Sequence, residues 1–125
     1  MTIVKQQNMR VSKNKVTQSL EKELYRTLHQ AIADLKDPQE VQAFLEAFLS
    51  EAEHATVAKR VAVSYWLDKK RSYENIHENL KVSSATIAVI QNSMKEPGVR
   101  LALQKIKADE WANGWTQKIR KFVKQ

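Results

Sequence analysis

The chain has 125 residues, with two Gly, two Pro and no Cys, and its 21 Lys plus Arg against 14 Asp plus Glu leave a formal net charge of +7. The missing cysteines exclude a disulfide framework, a thiolate metal centre and a cysteine nucleophile. So few Gly and Pro exclude a turn-rich β-sandwich and a Gly-rich phosphate loop. One domain, or one domain with an arm, is expected at this length. No apolar run approaches the ~20 residues of a membrane span, and the N-terminal stretch lacks the apolar core of a signal peptide. The expectation is a cytoplasmic, helix-rich, all-α protein with a polyanion as partner and no membrane contact.

Residues 1–15 show no sustained periodicity and are expected to form a flexible basic arm with Lys5, Arg10, Lys13 and Lys15. Leu20, Leu24, Leu28, Ile32 and Leu35 then share one helical face and predict a first helix of about five turns. Asp37-Pro38-Gln39-Glu40 ends it and opens a second: Asp37 suits the cap, Pro38 the first helical position, and Glu40 follows the cap at the capping-box spacing. Val41, Phe44, Leu45, Phe48 and Leu49 form that helix's apolar stripe. Ser50 and Glu53 are a second capping box, opening a third helix to about Lys69. Val57, Val61, Tyr65, Trp66 and Leu67 are expected on its buried side. Lys69-Lys70-Arg71 put cations at its negative end.

Ser72 caps a short helix holding Ile76 and Leu80. Lys81-Val82-Ser83 interrupts it, and Ser83 or Ser84 caps the next, which holds Ile87, Ile90 and Met94. Pro97-Gly98 breaks that helix. Leu101, Leu103 and Ile106 predict a further short helix, and Trp111, Trp115, Ile119 and Phe122 a stripe on a final one. Lys118, Arg120, Lys121 and Lys124 crowd its end. The extension 96–125 is expected to pack onto the domain or its dimer; enlarging a nucleic-acid surface and lying on an anionic membrane are the alternatives.

The window from Ser72 to Gln91 has the build of a helix–turn–helix: two short helices joined by about three residues. Ile76, Leu80, Val82, Ile87 and Ile90 fall where such a motif buries side chains. Ser83, Ser84, Ala85, Ala88 and Gln91 fall where it faces a major groove. Two positions fit poorly. His77 replaces a small residue, and Lys81 sits where Gly often adopts a left-handed conformation, at a cost of about 1 kcal/mol. Two amphipathic helices of an ordinary bundle are the plainer reading of the same residues. Charge favours the first. Residues 16–54 carry a net −5, while residues 1–15, 55–94 and 95–125 carry +4, +3 and +5. The cationic surplus thus lies outside residues 16–54, and the Lys69-Lys70-Arg71 run directly before the window is placed to neutralise phosphates.

From Leu20 to Met94 the chain resembles the Trp repressor family. The likeness rests on LSEAE (Leu49–Glu53), HATVAKRVAVSYWL (His54–Leu67) with Arg60, SYENI (Ser72–Ile76) and SSATI (Ser83–Ile87), in the family's order and spacing. The resemblance implies an all-helical, intertwined homodimer over residues 16–95, with one helix–turn–helix (about 72–94) per half-site of double-stranded DNA. Two-fold symmetry then implies a roughly palindromic operator with half-sites about 34–36 Å apart. The family's tryptophan-responsive members hold the indole between two arginines. Arg60 matches the first, but Val89 stands for the second, Ser50 for a Thr, and Ile90 for a Gly beside the ligand. The resemblance therefore implies a degenerate pocket, with Val89 and Ile90 filling it, tryptophan not bound and no cofactor.

The recognition helix from Ser84 to Met94 has no Lys or Arg, so the bidentate guanine contact has no donor there. Ser83, Ser84, Gln91 and Asn92 are left to hydrogen-bond bases or phosphates, and Ala85 and Ala88 to touch thymine methyls. Water-mediated readout, known in this family, suits such a face. Phosphate contacts are expected from Lys69, Lys70, Arg71, Lys81 and Lys95, with Ser72 and Tyr73 at the start of the motif. An enzyme is the weakest class. His29, His54 and His77 are widely spaced, and neither a metal-binding histidine pair nor a nucleophile elbow occurs. The nearer alternative is a helical protein–protein adaptor that keeps the fold without specific DNA binding.

Overall fold

A computed structural model describes residues 15–113, and every regular element there is helical. The helices are α1 (Gln18–Ala33), α2 (Pro38–Phe48), α3 (Glu51–Asp68), α4 (Tyr73–Leu80), α5 (Ser84–Asn92) and α6 (Pro97–Asn113). The basic arm up to Asn14 lies outside the described residues, as do Trp115, Ile119, Phe122 and the cations from Lys118 to Lys124.

Local chemistry sets most boundaries. Thr17 caps α1 through its hydroxyl, which accepts from the Leu20 N–H at 3.2 Å. The helix stops at Ala33 with Asp34 as its C-cap, two residues short of Leu35. Asp37 caps α2 by accepting from the Glu40 N–H at 2.9 Å, with Pro38 in the first turn. The Ser50–Glu53 box closes both ways: the Glu53 N–H donates to the Ser50 hydroxyl at 3.1 Å, and the Ser50 N–H donates to the Glu53 carboxylate at 2.7 Å. Each such cap is worth about 1 kcal/mol, by satisfying N–H groups that have no partner inside the helix.

The chain divides into two compact units, residues 1–55 and 56–125. Among the described residues of the first, no hydrophobic side chain is buried. Leu20, Leu24, Leu28 and Ile32 are all at least 43% exposed, and Phe48, although its ring lies tilted against Phe44 with centroids 4.9 Å apart, is 74% exposed.

The second unit holds the core. Val63, Tyr65, Trp66 and Leu67 come from the last turns of α3, Ile76 from α4, Ile87 and Ile90 from α5, and Leu103 from α6. Leu80, Val82, Met94, Val99 and Ile106 pack against them. Two expectations need correction. Val57 and Val61 are exposed, because the buried band of α3 begins only at Val63. And Leu103, Ile106 and Trp111 share one continuous helix, since no Gly, Pro or capping residue interrupts the stretch after Gly98.

Charge fastens α6 to the end of α3. The Asp68 carboxylate pairs with Lys107 at 2.8 Å and with Arg100 at 3.5 Å. Lys69 donates to Glu110 at 2.8 Å, and the Tyr65 hydroxyl donates to the other oxygen of Glu110. The hydrogen bond from Lys107, aided by its charge and by Arg100, holds the Asp68 carboxyl below its ordinary value of 3.8 against the opposing effect of burial. A depressed carboxyl contributes stability that is complete above the unfolded-state value and is lost as pH falls through the lowered one. Urea midpoints are therefore expected to drop below about pH 4, and Asp68→Asn should flatten that drop while lowering the midpoint at neutral pH.

Candidate nucleic-acid interface

α4 and α5 pack on each other through Ile76, Leu80, Ile87 and Ile90 and are joined by Lys81-Val82-Ser83. This is the helix–turn–helix expected between Ser72 and Met94. Ser72 caps α4 by accepting from the Asn75 N–H at 3.0 Å. Ser83 caps α5 by accepting from the Thr86 N–H at 3.1 Å, and its own hydroxyl donates to the Thr86 hydroxyl at 2.9 Å. Both serines are exposed, but their hydroxyls are committed to holding helix starts.

The turns around α4 are built without glycine. The chain leaves α3 through a left-handed residue, Lys70, at φ 65°. The Lys70 N–H donates to the Leu67 carbonyl at 2.9 Å and the Arg71 N–H to the Trp66 carbonyl at 3.1 Å, the pair of bonds that closes a helix through a left-handed C-terminal residue. The chain leaves α4 through a second, Lys81, at φ 57° and ψ 46°. Here the Lys81 N–H donates to the His77 carbonyl at 3.0 Å. The imidazole of the same His77 reaches forward, with Nδ1 2.6 Å from the Val82 carbonyl. A carbonyl only accepts, so Nδ1 carries the proton and donates. The unexpected histidine thus closes the turn that the missing glycine would have relaxed.

The cations expected to grip phosphate fall into two groups. Lys70, Lys81 and Lys95 are exposed. Lys69, also exposed, and Arg71, half-buried, already have partners within the fold: Lys69 pairs with Glu110 and lies 5.5 Å from the centroid of the Tyr65 ring, and Arg71 is stacked 4.8 Å over Trp66 and donates to Asn75 at 3.1 Å. Tyr73, Ser84, Ala85, Ala88 and Gln91 are all exposed, as the motif requires. Sequence reasoning missed Glu110, which lies far along the chain from its partner lysine and carries no local signal. The left-handed Lys70 carries no local signal either, since α1 and α2 also end without Gly, yet through a right-handed Asp34 and an extended Leu49.

The residues of the expected ligand pocket separate. Arg60 and Ile90 line one open pocket of about 240 Å³, together with Ser64 and Ser93 and, from α6, Val99 and Leu103. Ile90 fills its side of that pocket and is buried, but Val89 points away and is exposed. Val89 precedes the buried Ile90 by one residue, about 100° of helical rotation, which puts it with Ala88 on the outward side of α5. Ser50 is buried and serves its capping box. No group of three or more metal-binding side chains occurs among the described residues, and no helix there is long and apolar enough to cross a membrane.

The family model of the Trp repressor protein matches residues 23–107, which include α2 to α5 and the part of α6 that carries Leu103. No curated protein and no solved structure matches the chain. The matched family consists of helix–turn–helix DNA-binding regulators rather than enzymes. With the match covering well over half of its length and running through the paired helices just described, the chain belongs to the Trp repressor protein family.

Proposed function

We propose that the protein is a homodimeric transcriptional repressor that binds a roughly palindromic operator without tryptophan as corepressor. The observation that carries DNA binding is the pair of left-handed lysines in the turns before and after α4, Lys70 closing α3 and Lys81 closing α4. Each is an exposed cation held where Gly would sit freely, at a cost of about 1–2 kcal/mol. Strain of that kind persists where a side chain is needed in place, and a phosphate-binding ammonium is such a need. Residues 16–95 carry the DNA-binding domain in this reading, the arm of residues 1–15 adds phosphate contacts, and the extension from residue 96 supports the motif through Leu103.

The second copy is supported by the first unit. Its apolar stripe along α1 is exposed in the single chain, and two-fold pairing gives it a complementary surface. Independence from tryptophan is supported by Val89, which offers no guanidinium, and by Ile90, which occupies space beside Arg60. The exposed Ser84 and Gln91 are left for bases or bridging waters, with Lys70, Lys81 and Lys95 on phosphates. The alternative of a protein–protein adaptor shares the fold but not the cations' purpose. Fluorescence anisotropy of labelled genomic duplexes between 50 and 200 mM salt separates the two. A repressor of this kind loses affinity steeply as salt rises, whereas a weak, salt-independent signal would leave the adaptor.

A further inference from the structure

We propose that α5 reads its half-site through thymine methyl groups, so that the operator core is built of A·T pairs, with Ala85, Ala88 and Val89 as the specificity-determining residues. The proposal rests on the DNA-binding reading above. At 100° per residue, Ile87 and Ile90 define the buried side of α5, and the side directly opposite is Ala85, Ala88, Val89 and Asn92. All four are exposed, Val89 by 56%. A helix face turned to water is ordinarily polar or charged. This one is apolar at three of four positions, and no residue from Ser84 to Asn92 bears a charge.

The cations stand at the ends instead, with exposed Lys81 before the helix and exposed Lys95 after it. An uncharged, small-residue face between two ammonium groups complements a groove whose walls are phosphate and whose floor is not. In the major groove the one apolar feature on the base edges is the C5-methyl of thymine, and alanine and similar apolar groups contact it. The amide of Asn92 is suited to the adenine edge, with its acceptor and donor side by side. One A·T pair therefore offers a partner to both kinds of side chain on this face, and a G·C pair offers neither a methyl group nor a match for a missing arginine. Ala and Val are also short, so the helix backbone can approach the base edges closely. Val89 has little rotameric freedom to lose on contact.

The test begins with selection of the full chain on random duplexes, followed by replacement of each enriched thymine by deoxyuridine, which removes the methyl and keeps the pairing. The expected result is an A·T-rich half-site in which two or three replacements each weaken binding about three- to four-fold, the worth of one buried methyl. Val89→Ala, at an exposed site and with helicity checked by circular dichroism, should reduce the penalty at the thymine it touches. Enriched sites that tolerate uracil throughout, or that are held by G·C pairs, overturn the proposal while leaving DNA binding in place. Equal binding to every duplex does the same. Absence of binding to any duplex overturns the DNA-binding reading along with this one and leaves the apolar face as a protein-docking surface.

Discussion

Leu103→Ala is expected to remove about 2–5 kcal/mol of stability, a large share of what a domain of this size possesses. Leu103 is 1% exposed, the one fully enclosed side chain among the described residues of α6. It also lines the 240 Å³ pocket beside Arg60. Truncation would open that pocket further, and because Ser64 and Ser93 line it, water has polar partners there. This places the expected loss in the lower half of the range. Leu101→Ala, two residues away but 55% exposed, should stay within about 0.5 kcal/mol of wild type. Urea denaturation of the two variants measures the difference. Equal effects would mean that α6 is an appendage and not part of the fold that supports the motif.

A second large effect is expected at the left-handed lysines, with charge and conformation pulling in opposite directions. Lys70→Glu and Lys81→Glu should each lower the slope of log affinity against log salt by about 0.9, as one phosphate contact is lost, and weaken binding further through repulsion. Lys70→Gly and Lys81→Gly should lose a similar part of the slope yet gain about 1 kcal/mol of stability, because Gly adopts φ near 60° without a Cβ penalty. The joint change of Lys69→Gln with Glu110→Gln should leave the slope near wild type, since that pair is already neutral. Anisotropy titrations over a salt series, read beside thermal melts, decide the matter. A stabilised glycine variant that keeps full affinity would sink the phosphate role.

Short-range chemistry made much of this legible. The caps at Asp37, Ser50, Ser72 and Ser83 were readable because each bonds a backbone N–H within one turn of itself. The five apolar positions from Ile76 to Ile90 were readable because the motif's angle needs them, and the left-handed Lys81 because a three-residue turn leaves few conformations. Long-range chemistry was not readable. Nothing near Lys69 signals that Glu110 will take its charge, and the Asp68–Lys107 pair is equally distant in sequence. Val57 and Val61 carry the right period for burial, but period alone does not say where along a helix its neighbours begin. Val89 makes the same point: in the place of an arginine it is expected to fill the pocket, whereas the helix turns it outward.

The exposed stripe on α1 bears on how the protein reaches its native state. Leu20, Leu24, Leu28 and Ile32 keep about half of their surface in water in a lone chain, so in a dimer the first unit acquires much of its hydrophobic stabilisation on meeting a partner. In the proposed dimer, folding of this unit and assembly are then a single bimolecular event, while the second unit keeps the core it builds within one chain. The melting temperature becomes a function of protein concentration, and dilution alone erodes the structure. The cell's copy number would set how many functional molecules exist as well as how many chains are made.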